Sequence, residues 1–140
     1  MRNHGIGKKE AQNRLEQLLQ QVELPTEIAD RYPNQVSGGQ CQRAAIARAL
    51  AVNPKILICD EATSALDVTV QMQIIELLKR LQKEMDLSIL LISHDLALVQ
   101  HLCDRVIVMY QGNIVEQGKH EELLEKNGFY AKLYNSQFAK

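Results

Sequence analysis

Two short apolar runs, Lys55-Ile56-Leu57-Ile58-Cys59 and Ser88-Ile89-Leu90-Leu91-Ile92, constrain this chain more than any other feature. Each has the length of a strand and stops abruptly at polar residues, the first at Asp60-Glu61 and the second at Ser93-His94-Asp95. Between them Val70, Ile74, Leu77, Leu78 and Leu81 recur at helical spacing and set a core stripe on one helix. Strand, helix, strand in that order is the unit of a parallel sheet. Strands without polar alternation read as buried on both faces. The expected fold is α/β and layered. In open sheets of that kind ligands collect at the carboxyl ends of the strands, which is where Asp60, Glu61 and His94 fall.

Upstream, Val36-Ser37-Gly38-Gly39-Gln40 opens the apolar run Ala44-Ala45-Ile46-Ala47. Ser37 is a natural N-cap and Gln40 stands three positions later, the pattern of a capping box. A helix from here should continue until Asn53-Pro54. Glycines are poor helix formers, but without a Cβ they let a ligand come close to the backbone. Unpaired N–H groups and the positive end of the helix dipole suit a phosphate. The stretch reads as an anion-facing helix cap; taken alone it also fits a flexible turn before a helix.

The remaining segments supply the frame. After a polar, basic start over residues 1–9, Leu15, Leu18, Leu19 and Val22 predict a helix over 10–22. Pro25 and Pro33 bracket a connector with one helical turn, and residues 62–67 read as a loop. Past the second apolar run come a short helix over 96–102 and a strand over 105–109. A turn at Gln111-Gly112-Asn113 and a strand over 114–116 close a hairpin at the sheet edge. The tail resumes helical spacing, with Leu123, Leu124, Phe129, Leu133 and Tyr134 on apolar faces.

At 140 residues the chain is about one domain, and its formal charge of −1 gives no basic field, so nucleic acid is not the expected partner. Cys41, Cys59 and Cys103 are far apart, lack metal-type spacing and fit a reduced compartment. No apolar run approaches the roughly 20 residues that span a bilayer, and no signal peptide is seen, so any link to a membrane is expected to go through a partner.

Asp60, directly after an apolar run, is costly unless it meets a cation or hydrogen bonds. Phosphate chemistry supplies one, because Mg2+ takes one or two carboxylates and keeps waters and phosphate oxygens as its other ligands. Glu61 beside it would hold an attacking water, and a positioned base is worth roughly 10²–10⁴ in rate. Adjacent acids at a strand end also serve simply to cap the next loop. His94 would contact a terminal phosphate, although a lone histidine is more often structural. His94 and His101 lie too far apart, without a third ligand, for zinc. Asp67, before a helix, has N-capping as its default role.

Taken together these residues resemble the ATP-binding-cassette (ABC) ATPase family. Val36-Ser37-Gly38-Gly39-Gln40 matches its signature motif, with valine for the more usual leucine. Ile56-Leu57-Ile58-Cys59-Asp60 resembles the Walker B strand, Glu61 falls at the catalytic glutamate, Ser64-Ala65-Leu66-Asp67 is like the D-loop, and His94 matches the switch histidine. The likeness runs over residues 32–118. Tyr32-Pro33, Gly39-Gln40-Cys41-Gln42-Arg43 and Ser64-Ala65-Leu66-Asp67-Val68 are most similar to the oligopeptide, dipeptide and nickel importer ATPases. Gly128-Phe129-Tyr130-Ala131-Lys132-Leu133-Tyr134 is more like the end of exporter-type cassettes.

The family's phosphate cradle, Gly, four residues, then Gly-Lys-Ser/Thr, is not found in these residues. Gly7-Lys8 is the nearest imitation, but Arg2 stands where the first glycine should be and Lys9 replaces the hydroxyl residue. The resemblance therefore implies the C-terminal half of a cassette. Residues 1–35 would be part of the helical subdomain, 36–118 part of a P-loop NTPase-type core lacking the Walker A strand, and 119–140 a helical tail. It implies ATP and Mg2+ as cofactors, with Asp60 toward the metal, Glu61 and His94 catalytic, and Ser37, Gly38, Gly39, Gln40 and Asp67 facing nucleotide. It also implies a second ATPase subunit and transmembrane permease subunits as partners, and a place on the inner face of the cell membrane. The missing cradle strand should leave sheet edge and face uncovered, and the chain alone is expected not to hydrolyse ATP. Two other readings are a non-catalytic module that docks on a whole cassette and the C-terminal lobe of a chromosome-maintenance or DNA-repair ATPase. The second lacks the long coiled coil that should lead into such a lobe.

Overall fold

The computed structural model describes residues 7–138. Two compact units divide between Ile92 and Ser93. The first holds α1 (Lys8–Gln21), 3₁₀ turns at Thr26–Asp30 and Pro33–Gln35, α2 (Gly38–Leu50), β1 (Ile56–Asp60), α3 (Val68–Met85) and β2 (Ser88–Ile92). The second holds α4 (Leu96–Leu102), β3 (Val106–Tyr110), β4 (Asn113–Gly118), α5 (His120–Glu125) and α6 (Phe129–Phe138).

In the first unit the helical stripes meet as the spacing requires. Leu18, Leu19 and Val22 near the end of α1, Ile46, Ala47 and Leu50 of α2, and Ile74, Ile75, Leu77, Leu78 and Leu81 of α3 are all buried. The helix α2 packs against both α1 and α3. The last carbonyls of α1, which have no intrahelical partner, are taken by guanidinium groups from those neighbours. Arg43 donates to the Val22 oxygen at 3.0 Å and Arg80 to the Gln21 oxygen at 2.8 Å. Both arginines also pair with Glu23, at 2.7 and 3.0 Å.

The α1 helix starts at Lys8, so Lys8 and Lys9 belong to its first turn; Gly7 is the N-cap and its carbonyl accepts from Ala11 at 2.9 Å. The rest of the expected loose start, residues 1–6, lies outside the described residues. The α2 helix stops at Leu50, ahead of Asn53-Pro54. A residue before proline avoids the right-handed α region, and Asn53, directly before Pro54, sits at φ 51°.

β1 and β2 pair in parallel, from Ile56 opposite Ser88 to Asp60 opposite Ile92. The expectation that these strands are buried on both faces is not met. Leu57 and Cys59 turn inward, but Ile56 and Ile58 are each 63% exposed, Leu90 48% and Ile92 47%. Because side chains alternate along a strand, these four lie on one face. Parallel strands ordinarily have both faces covered, and the described residues cover one.

In the second unit β3 and β4 form an antiparallel sheet of their own, not an edge of the parallel sheet. Gln111 and Gly112 at the hairpin turn have φ 47° and 78°, the left-handed pair that a tight two-residue connection needs. The tail is turned differently from the sequence expectation. Leu123, Tyr130 and Ala131 are buried, while Phe129 and Leu133 are about half exposed. The start of α6 is held from β4, where the Glu116 carboxylate accepts from the Phe129 and Tyr130 amides at 2.9 and 2.8 Å.

Candidate functional site

The tip of α2 is built by its own residues. Ser37 Oγ accepts from the Gln40 amide at 3.2 Å, and Gln40 Oε1 accepts from the Ser37 amide at 2.9 Å. This is the reciprocal box expected from the sequence. A helix start leaves four N–H groups without an intrahelical partner. The box satisfies two of them, and the two left without an acceptor among the described residues belong to Gly38 and Gly39. Gly38 is exposed to solvent. The open donors therefore belong to the two residues without side chains of their own.

These glycines also serve a purpose that sequence reading missed. A Cβ on Gly38 would stand 3.2 Å from Leu66 Cδ2, and one on Gly39 would stand 2.7 Å from Val70 Cγ1. The helix tip thus rests its bare backbone on the loop after β1 and on the first turn of α3. The available signal was Leu66, an apolar residue in a loop of small and polar ones. Next to it Asp67 takes its default role: its Oδ1 accepts from the Val70 amide at 3.0 Å and caps α3.

Asp60 ends β1 with its side chain in solvent, and Glu61 follows it, also exposed. Glu61 has φ 45°, a left-handed conformation that typically costs a residue with a side chain about 1–3 kcal/mol. It is held there from both sides. Its amide donates to the Ile92 oxygen at 2.9 Å, and its carbonyl accepts from the Ser64 amide and hydroxyl, each at 3.1 Å. No group of three or more His, Cys, Asp and Glu side chains among the described residues is arranged to hold a metal. Asp60 alone fits Mg2+ only as one carboxylate among phosphate and water ligands.

His94 opens the second unit and is exposed. Its turn is tied down by its neighbours and by a distant residue. Ser93 Oγ accepts from the Asp95 amide at 3.0 Å, and Asp95 Oδ1 accepts from the Ala97 and Leu98 amides at 2.9 and 3.4 Å. Gln137 donates to the His94 oxygen at 2.8 Å and accepts from the Leu96 amide at 3.2 Å. Nothing in the local sequence points to Gln137.

Two of the three cysteines have raised thiols. Burial pushes the Cys59 thiol up to about 11. Cys103 is also raised, by burial and then by the Asp104 charge. Cys41 is exposed, its sulfur 3.9 Å from the Pro33 oxygen.

An open helix tip, an acidic strand end and a glutamate at positive φ stand on one α/β frame, an arrangement chemically suited to phosphate. Residues 1–64 match the family model described as ABC transporter. The chain is 49% identical over 118 residues to the oligopeptide transport ATP-binding protein OppF of Escherichia coli (strain K12), covering 84% of this chain and 35% of that protein. It is 53% identical over 126 residues to the glutathione import ATP-binding protein GsiA of Salmonella choleraesuis (strain SC-B67), covering 89% and 20%. Among solved structures, the dimeric post-hydrolysis state of the ATP-binding cassette MJ0796 bound to ADP and Pi superposes with a TM-score of 0.70 at 36% identity, over 84% of this chain and 50% of that one. A bacterial Atm1-family ABC exporter with ATP bound gives 0.74 at 29% identity, over 99% and 25%. The fold is that of a partial ABC ATPase domain. It spans about a third of the length of the OppF relatives, 35% for the protein from Escherichia coli.

Proposed function

We propose that these residues act as the C-terminal half of an ATP-hydrolysing cassette that drives uptake of peptides or similar small solutes. The observation that carries this is the division of labour at the α2 tip, where a side-chain box closes the outer donors and leaves the Gly38 and Gly39 amides open. In this reading the tip closes on the terminal phosphate of an ATP held by a second ATPase subunit. Ser37 and Gln40 shape it, and Asp67 would run along the subunit interface and couple the two ATP sites. Asp60 would lie toward Mg2+, Glu61 would orient the attacking water and take its proton, and His94 would contact the terminal phosphate. Bound Mg2+ would neutralise charge on the phosphates. The open face of the β1–β2 sheet supports a need for further chain against Ile58 and Leu90. The peptide and glutathione import relatives support the solute class. Permease partners would place the protein at the inner face of the membrane; no helix among the described residues is long and apolar enough to cross one.

Turnover by the 140-residue chain alone should not exceed that of its Glu61→Gln variant. Mixing the chain with an intact cassette of the OppF type should change that cassette's ATPase rate, and Gly38→Glu should remove the effect. Turnover by the chain alone that Glu61→Gln abolishes would overturn the half-cassette reading. An effect on the intact cassette that Gly38→Glu leaves intact would overturn the role of the tip and favour a docking module.

A further inference from the structure

The turn that carries His94 is held by local caps and by one side chain from the far end of the second unit, Gln137. Gln137 meets the main chain on both sides of Asp95, donating to the His94 carbonyl at 2.8 Å and accepting from the Leu96 amide at 3.2 Å. A side chain can fix a turn only if its own backbone is fixed, and α6 is anchored along its length. Glu116 holds its first turn through the Phe129 and Tyr130 amides at 2.9 and 2.8 Å. Gly128 lets that carboxylate lie close against the main chain, since a Cβ there would collide with Glu116 Oε1. Midway, the Tyr134 hydroxyl donates to Gln100 Oε1 of α4 at 3.3 Å, and its ring lies 5.2 Å from that of His120.

We propose that Gln137 is a positioning residue for His94, so that the C-terminal helix sets where the imidazole stands. Local capping by Ser93 and Asp95 starts α4 but leaves the His94 carbonyl and the Leu96 amide to be satisfied from elsewhere. The amide of Gln137 satisfies both, which defines the His94–Asp95 peptide and with it the origin of the histidine side chain. The consequence for hydrolysis rests on the phosphate-contact reading of His94; the positioning itself does not.

The test is nuclear magnetic resonance on the full chain, following the His94 ring and the exchange of the Leu96 amide. Gln137→Glu keeps the shape and the acceptor but loses the donor to the His94 oxygen, whereas Gln137→Leu loses both. The Leu96 amide should exchange several-fold faster in Gln137→Leu and stay near wild type in Gln137→Glu. The His94 ring resonances should shift in both, with His101 and His120 unmoved. His94 resonances unchanged in both variants, or His101 and His120 moving as far as His94, would overturn the proposal. If alanine at the corresponding histidine of an intact OppF-type cassette left that cassette's ATPase rate unaltered while the resonance shifts appeared here, the phosphate reading would fail and the positioning would stand.

Discussion

The two turns that present candidate phosphate contacts are held in different ways. The tip of α2 is closed by Ser37 and Gln40, three residues apart, through bonds of 3.2 and 2.9 Å. The His94 turn has local caps too, but its carbonyl is taken by Gln137, separated by 43 positions. A contact within one helical turn forms with the helix and needs little else, whereas a contact across that separation exists only when the second unit has folded. The comparison teaches that the α2 tip is preformed by local chemistry, while the His94 turn depends on the integrity of its whole unit.

The strongest way to break this contrast is to cut α6 loose. Glu116→Ala removes a carboxylate from two amides, one of them on the fully buried Tyr130. Charged hydrogen bonds of this kind are worth about 1.5–3 kcal/mol each, so a loss of about 3 kcal/mol is expected in denaturant unfolding of the second unit. Exchange at the Leu96 amide should accelerate along with that of α6, and exchange at Gln40 should not. The next largest effect tests what the α2 tip leans on. Gly39→Val sets a branched side chain where even a Cβ would come within 2.7 Å of Val70 Cγ1. Overpacking of this sort costs about 1–3 kcal/mol. Adding Val70→Ala should return part of that loss in a double-mutant cycle. Strict additivity would mean the two residues are not in contact.

These differences also explain what could be read from the sequence. The capping box, the Asp67 cap and the helical stripes of α1 and α3 are patterns within a few residues, and they stood where the spacing put them. The β1–α3–β2 unit was legible for the same reason, since each run announces its own element. What the strands face was not, because Ile58 and Leu90 carry the composition of buried residues and nothing in their own runs shows whether a neighbour covers them. The packing of Gly38 and Gly39 on Leu66 and Val70 was hidden because glycine suits close ligand approach and close helix packing equally well. Glu116 and Gln137 were invisible: each is a polar residue whose partner is far along the chain. The positive φ of Glu61 could not be foreseen either, as an acidic side chain gives no sign of a left-handed backbone.

A smaller effect sharpens the same contrast at the α2 tip. Ser37→Ala deletes the acceptor for the Gln40 amide and leaves the other half of the box in place. About 1 kcal/mol should be lost. Gln40 exchange should rise, and Leu96 exchange in the second unit should stay at its wild-type rate.

The smallest effect asks whether the first turn has any distant support. Arg43 follows the tip on α2, and its hydrogen bond to Glu23, then the Arg43 and Arg80 charges, hold the Glu23 carboxyl below its ordinary value of 4.5, against the opposing pull of burial. A lowered carboxyl stabilises the fold above that ordinary value, and the contribution is lost as pH falls through the lowered one. Glu23 has 55% of its side chain in solvent, so water screens the pair and its worth is only about 0.2–1 kcal/mol. Glu23→Gln should therefore lower the melting temperature slightly at pH 7 and make no difference once acid has protonated the wild-type carboxyl. Exchange at Gln40 should be the same in both proteins. If Gln40 opened with the loss of Glu23, the α2 tip would also hang on a distant contact, and the distinction between the two turns would dissolve.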